Sequence, residues 1–193
     1  MTAIPTPAPV VPGRLEQMST RIAFFIAGFG IAAWAPLVPY AKARAQLNEG
    51  TLGLLLLCLG VGSILAMPVA GALASRYGCR RVLSAGTLLL CVALPMLATV
   101  SSIPWLMAGL FLFGAGLGTV DSTVNLQAVI VERASGKTMM SGFHGLFSLG
   151  GIVGGGGVSG LLGVGVCTRV GHLGGVVVAR GGPAKGGPPL CAL

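Results

Sequence analysis

Charge, and negative charge above all, is what this sequence has least of. Only 8% of its 193 residues are charged, and 4 acidic residues face 12 Lys and Arg, for a net charge of +8. Soluble domains carry about 25% charged residues, so this chain lacks the polar surface of a soluble fold. Aromatic residues are also few, at 6%. With no face of interleaved basic and aromatic side chains, nucleic-acid binding is not expected.

The sequence also lacks the motifs of catalysis and metal binding. It contains neither HExxH nor GxSxG, and its glycine run at 154–157 is not followed by the Lys-Ser/Thr of a phosphate-binding loop. The five cysteines form no CxxC pair, so neither a disulfide framework nor a metal site is indicated. We therefore expect no enzymatic activity, no cofactor and no bound metal.

The missing charges leave long apolar runs, and these dominate the sequence. No charged residue occurs in 22–41, 50–75, 82–120 or 138–168. About 20 apolar residues span the hydrocarbon core of a bilayer, so each run can cross it, and the third can cross twice. The polar break Ser101-Ser102-Ile103-Pro104 divides that third run, and Pro104 suits the first turn of a helix.

This pattern predicts an all-α, polytopic membrane protein in the lipid bilayer. The five predicted spans cover about 21–41, 51–74, 82–100, 104–131 and 140–164. Residues 1–20 are predicted to form a disordered cytoplasmic tail, because prolines and small residues dominate them. Residues 165–193 form a second tail, rich in Gly and Pro.

Small residues inside the spans predict close contacts between helices. The second span carries a stripe of them at four-residue spacing, and the fourth carries a GxxxG pair, namely Gly62, Ala66, Ala70 and Ala74, and Gly114 and Gly118. In the first span, Pro36 and Pro39 should kink or loosen the outer end. Trp34 and Tyr40 lie near that end, where interface anchoring is the favoured role and stacking on a sugar ring the alternative.

The positions of Lys and Arg predict the orientation in the membrane. With the N-terminus inside, seven basic residues among the spans and their loops lie on the cytoplasmic side, and only Lys42 and Arg44 lie outside. The seven are Arg14, Arg21, Arg76, Arg80, Arg81, Arg133 and Lys137. We therefore expect a multi-pass protein of the cytoplasmic (inner) membrane with a cytoplasmic N-terminus.

One acidic residue, Asp121, lies inside a predicted span. Asn125 follows four residues later, so the two share one face of the fourth helix. An ionised side chain inside a membrane is costly and is by default a functional candidate, here a proton or cation acceptor on a solute path. The alternative is that Asp121 only forms a hydrogen bond to a neighbouring helix.

His144, at the start of the fifth span, is a second candidate for the solute or proton path. Histidine titrates near neutral pH, and this one is predicted close to the cytoplasmic end of the fourth span. The alternative is an interfacial histidine whose polar atoms are satisfied by headgroups or backbone.

The segment GALASRYGCRRVL, from Gly71 to Leu83, resembles the signature loop between helices 2 and 3 of the major facilitator superfamily. The positions that match are Gly71, Leu73, Ala74, Arg76, Gly78, Arg80 and Leu83. The resemblance implies a cytoplasmic loop in which Arg76, Arg80 and Arg81 take part in gating. Ser75 and Cys79 depart from the family pattern, which has Asp and a basic residue there, and this places the family's cytoplasmic charge latch in doubt.

Two further runs, GLGTVDSTVN at 116–125 and SGFHGLFSLG at 141–150, resemble the fucose-permease-like branch of bacterial inner-membrane permeases. Some sugar carriers of that branch couple transport to protons through a helix-4 carboxylate, and Asp121 occupies a comparable place. The resemblance, from about Arg21 to Leu162, implies alternating access with a small-molecule substrate, such as a sugar, and protons as partners.

Family members have twelve helices in two halves, and this chain supplies about five. We expect a C-terminal half to be missing, and we interpret residues 165–193 either as translated from a shifted frame or as a flexible tail. Besides proton-coupled transport, two functions stay open. One is a non-transporting fragment or helical assembly partner that uses its small-residue stripes, and the other is an efflux carrier for drugs or metabolites.

Overall fold

The computed structural model describes residues 14–163, and all regular structure within them is helical. The α-helices are α1 (Arg14–Ala32), α2 (Val38–Arg44), α3 (Glu49–Tyr77), α4 (Cys79–Thr99), α5 (Ile103–Ser135) and α6 (Met140–Gly163), with a 3₁₀ turn at Ala35–Leu37. Five stretches are long and apolar enough to cross a membrane, with α1 and α2 together forming the first. This confirms the all-α architecture with five spans.

The first helix begins at Arg14, seven residues before the predicted start of the span. Residues 14–20, predicted as part of a disordered tail, are helical because LEQM is a run of good helix formers that follows the last of the early prolines. The buried Thr20 donates from its hydroxyl to the carbonyl oxygen of Glu16 at 2.9 Å. Residues 1–13 and 164–193, with most of both predicted tails, lie outside the described residues.

The first span is interrupted between α1 and α2, where the sequence contains Pro36. A proline has no N–H, so the carbonyl of Ala32 has no partner four residues later and the α-helix ends. The chain continues as a 3₁₀ turn, in which the Leu37 N–H donates to the carbonyl of Trp34 at 2.9 Å. The prolines that predict a kinked outer end therefore coincide with a complete break.

Trp34, predicted to be an interface anchor, lies instead in the core of the bundle. It is 7% exposed, and its ring lies 6.1 Å from that of Phe113 on α5. The break places Trp34 between helices rather than on the lipid-facing side. Tyr40 keeps an exposed position on α2.

Two groups of helices make up the bundle, each held by close backbone contacts. In the first, α5 packs along α3 and α4, and in the second, α1 packs along α6. Between α3 and α5, a methyl group on Gly62 would overlap the carbonyl oxygen of Phe111, and one on Gly114 would overlap that of Leu59. This confirms the close packing predicted for Gly62, Gly114 and Gly118.

The contact between α1 and α6 depends on glycine in the same way. Added methyl groups on Gly28, Gly150 and Gly154 would overlap the carbonyl oxygens of Phe147, Phe25 and Phe29, respectively. Backbones this close gain dispersion energy along the whole crossing, and lipid provides no hydrophobic force to replace it. Gly150 and Gly154 of α6 therefore form an interface with α1.

Gly154→Ala should destabilise the bundle by about 1–3 kcal/mol, because the new methyl group must push α1 away from α6. Gly156, two residues later in the same run, has open space around its Cα. The matched variant Gly156→Ala should be neutral, or stabilising by up to about 1 kcal/mol through helix propensity. Both variants are heated in detergent, and size-exclusion chromatography reports the fraction that stays folded at each temperature. Equal melting temperatures of the two variants would contradict the close contact at Gly154.

At the other end of the break, Arg44 ties α2 to the C-terminus of α4. Its guanidinium donates to the carbonyl oxygens of Leu97 (2.7 Å), Ala98 (2.6 Å) and Val100 (2.8 Å). These oxygens belong to the end of a helix, where no intrahelical donors remain and where the dipole favours a cation. The end of the first span, next to the loop that leads to the second, is thereby attached to the end of the third span.

Arg44→Gln should lower stability by about 1.5–3 kcal/mol, since several charge-assisted hydrogen bonds are lost and helix-end carbonyls lose their donors. Lys42→Gln, two residues away, is the matched control. Lys42 forms only an exposed ion pair with Glu49, and such pairs contribute less than about 1 kcal/mol. The same thermal assay compares the two variants, and an equal effect of both would show that the Arg44 contacts add no stability.

Candidate functional site

Asp121 and Asn125 lie together on α5, both half-buried, as their four-residue spacing predicts. The Asn125 side-chain amide donates to the backbone carbonyl of Asp121 at 2.9 Å and approaches its carboxylate oxygen Oδ1 at 3.4 Å. Asp121 lies 14 residues before the last residue of α5, which at 1.5 Å per residue is about 21 Å from that end. The acid is therefore deep inside a membrane span.

The hydroxyl groups next to Asp121 on α5 form hydrogen bonds to backbone carbonyls of the same helix. The hydroxyl of Ser122 donates to the carbonyl of Gly118 at 2.7 Å, and that of Thr123 to the carbonyl of Thr119 at 2.6 Å. Within residues 14–163, no basic side chain forms an ion pair with Asp121. A carboxylate in a membrane span without a cationic partner can take up a proton or a cation from a wet path.

His144 does not join this site. It lies four residues into α6, is exposed, and places its Nδ1 atom 3.2 Å from the carbonyl oxygen of Met140. Its ring centroid is 5.4 Å from that of Phe24 on α1. At about 6 Å from the start of its helix, it lies much nearer the membrane surface than Asp121 does. Among the described residues, no group of three His, Cys, Asp or Glu side chains could hold a metal ion.

The signature segment forms the joint between α3 and α4. Gly71 is on α3, and only Gly78 separates the two helices, with a φ of +85° that residues bearing a Cβ rarely adopt. Its N–H donates to the carbonyl of Ala74 at 2.9 Å and ends α3. The glycine of the motif is thus required by the backbone.

Three exposed arginines surround this joint. Arg76 lies in the last turn of α3, with its guanidinium carbon 5.3 Å from the ring centroid of Tyr77, whereas Arg80 and Arg81 lie in the first turn of α4. None forms an ion pair within the described part of the chain. Ser75, at the position of the family's Asp, donates back to the carbonyl of Ala72 at 2.8 Å and does not bridge the arginines.

Two structural roles of charged residues escaped the sequence analysis. Glu132, to which the sequence analysis assigns no role, accepts hydrogen bonds from the backbone N–H groups of Met139 and Met140, both at 2.7 Å. It thus caps the N-terminus of α6, where the helix dipole favours an anion. Arg44 caps α4 at the opposite end. Neither contact has a local signal, because each joins the last turn of one helix to the end of another, outside the short spacing of a capping box.

The chain matches a family model described as Major Facilitator Superfamily over residues 21–178. This match extends to residue 178, beyond Leu162, where the family resemblance visible in the sequence motifs ends. An uncharacterized MFS-type transporter of Yersinia pestis is 58% identical over 157 residues, covering 81% of this chain and 41% of the relative.

More distant relatives agree with this match. An uncharacterized transporter of Sinorhizobium fredii is 34% identical over 68% of this chain and 35% of the relative. Membrane protein MosC of Rhizobium meliloti is 33% identical over 72% of this chain and 34% of its own length. The chain thus spans about two fifths or less of these curated relatives. With five membrane-spanning helices and a match over most of its length, the chain belongs to the major facilitator superfamily, a family of transporters rather than enzymes.

Proposed function

We propose that this chain forms part of the N-terminal half of a secondary transporter that moves a small polar solute with protons by alternating access. The observation that carries the proposal is Asp121, an acid deep in a membrane span with no ion-pair partner among the described residues and with Asn125 beside it. Asp121 takes up the coupling proton, and Asn125 contacts the solute or the water that carries the proton. The fucose-permease-like resemblance favours a sugar as the solute.

The exposed arginines of the signature joint support a gating role on the cytoplasmic side. Arg76, Arg80 and Arg81 form no ion pair within residues 14–163, and two of them lie at the N-terminus of α4, where the helix dipole disfavours a cation. An acidic surface on the remaining part of the transporter would relieve this repulsion when the cytoplasmic side closes. Because Ser75 replaces the acid within the loop itself, the partner must come from another segment.

A helical assembly partner without transport activity is a second candidate. The observation that favours it is a set of glycines on α6 that have open space around their Cα atoms, namely Gly142, Gly145, Gly156, Gly157, Gly160 and Gly163. Small residues of this kind let another helix approach closely. The polar pair on α5 argues against an efflux carrier for apolar compounds, whose solute path would be apolar.

Asp121→Asn should abolish solute-driven proton movement while leaving solute exchange at equal concentrations in place, because the amide cannot exchange a proton. The test uses the full-length Yersinia pestis relative, in which the segment that aligns with residues 14–163 of this chain is replaced by those residues. Proteoliposomes that enclose a pH-sensitive dye report proton flux when sugars and other polar solutes are added one at a time.

Glu49→Gln is the control for this experiment, since Glu49 is an exposed acid that only pairs with Lys42. It should keep full proton flux. Retained proton flux in Asp121→Asn would refute the coupling role. Transport by the unaltered chain alone, in the same vesicles, would show that the remaining part of the relatives is not required, whereas we expect none.

The proposed orientation places the N-terminus and the signature joint in the cytoplasm of the inner membrane. In spheroplasts, a membrane-impermeant maleimide should label Lys42→Cys and leave Lys137→Cys unlabelled until the membrane is opened. Both variants are made in a background without the native cysteines. Labelling of Lys137→Cys in intact spheroplasts would reverse the orientation.

A further inference from the structure

The break in the first span contains a polar side-chain group without a partner. The indole nitrogen Nε1 of Trp34 is buried and has no hydrogen-bond partner among the described residues. Trp34 as a whole is only 7% exposed. A buried N–H that is left unpaired is unfavourable, and tryptophan in protein interiors usually finds an acceptor. Any acceptor for this N–H must therefore come from outside the described residues or from a bound molecule.

The backbone at the same place is also irregular. Ala33 to Leu37 leave the α-helix, and the carbonyl of Ala32 loses its helical partner because position 36 is a proline. At membrane depth, non-helical backbone is tolerated only where it is buried in protein or lines a water-filled cavity. Secondary transporters place solute sites at such discontinuous helices.

The two parts of the broken span are held by different helices. On one side, α1 is fixed to α6 by the glycine contacts of Gly28, Gly150 and Gly154. On the other, α2 is fixed to α4 by the guanidinium of Arg44. The non-helical residues between Ala33 and Leu37 can therefore absorb a movement of α1 with α6 relative to α4. Trp34 lies in that segment, so its ring moves with the break.

The ring of Trp34 also adjoins the helix that carries the candidate coupling acid. It lies at 51° to the ring of Phe113 on α5. Phe113, Leu117 and Asp121 follow at four-residue spacing and share one side of that helix. Eight residues separate Phe113 from Asp121, which is about 12 Å along the axis. Trp34 and Asp121 thus lie at two levels along α5, about 12 Å apart on its axis.

We propose that Trp34 is a solute-binding residue whose indole N–H donates to an oxygen of an uncharged solute when the break opens. The indole N–H is a donor only, so the solute must supply an acceptor. An uncharged hydroxyl or carbonyl oxygen accepts from this N–H without needing a countercharge beside the ring. The inference rests on the proposed transport function, because it assigns a binding residue and a solute class to the same path.

Intrinsic fluorescence tests this proposal directly, because the chain has two tryptophans. Trp105 is 64% exposed, so Trp105→Phe leaves Trp34 as the sole reporter at little structural cost. This variant of the full chain, in phospholipid nanodiscs, is titrated with hexoses, pentoses, hexitols and N-acetylated amino sugars. Sodium acetate and tetramethylammonium chloride serve as charged comparators.

At least one uncharged probe should change the Trp34 emission saturably and alter its quenching by acrylamide, and neither charged comparator should do so. The matched variant Trp34→Phe keeps the ring shape and removes the N–H. In calorimetric titrations, it should bind that probe about five- to tenfold more weakly, the loss expected for one hydrogen bond to a neutral group. No saturable response to any uncharged probe, an equal response to the charged comparators, or unchanged affinity in Trp34→Phe would each overturn the proposal.

A fluorine label on tryptophan tests the same binding without any substitution, so its result does not depend on whether the variants fold. The unaltered chain, grown with 5-fluorotryptophan, gives one ¹⁹F resonance for each tryptophan, and only the Trp34 signal should move with the bound probe. Binding is measured here without transport, so the two hypotheses fail separately. A Trp34 response without proton flux in the chimeric transporter refutes coupled transport alone, whereas flux with unchanged apparent affinity in Trp34→Phe refutes only the role of Trp34.

Discussion

Backbone-to-backbone contact through glycine is the interaction on which the rest of this bundle depends. In lipid, apolar side chains gain nothing from leaving the solvent, so helices associate through close packing and dispersion. Gly62 and Gly114 bring α3 against α5, while Gly28, Gly150 and Gly154 bring α1 against α6. These contacts define two helix groups, and the ring contact of Trp34 with Phe113 lies where α1 and α2 of the broken span meet α5.

Satisfaction of polar groups is the second constraint, and it explains where the few charges lie. Glu132 accepts from the first N–H groups of α6, and Arg44 donates to the last carbonyls of α4, so each charge complements a helix dipole from another segment. Asp121 has only Asn125, and the Trp34 indole N–H has no acceptor among the described residues. The polar groups that remain least satisfied lie on the proposed solute path.

The features predictable from sequence are those with a local or periodic signal. Gaps in charge predict the five spans, four-residue spacing predicts the shared face of Asp121 and Asn125, and GxxxG predicts the contact at Gly114. The burial of Trp34 was predicted wrongly, because nothing in one sequence shows which side of a broken helix faces its neighbours. The contacts made by Arg44 join segments more than 50 positions apart, and no single-sequence pattern encodes such a pairing.

The one-residue connection between α3 and α4 has a mechanical consequence. Ala70 and Ala74 of α3 share a small buried cluster with Val82 of α4, so side-chain packing joins the two helices near Gly78 as well as the chain itself. A connection of one residue, Gly78, is too short to bend enough for one helix to tilt without the other. A displacement of either helix at this joint is therefore passed on to the other, so that the two helices would tilt together.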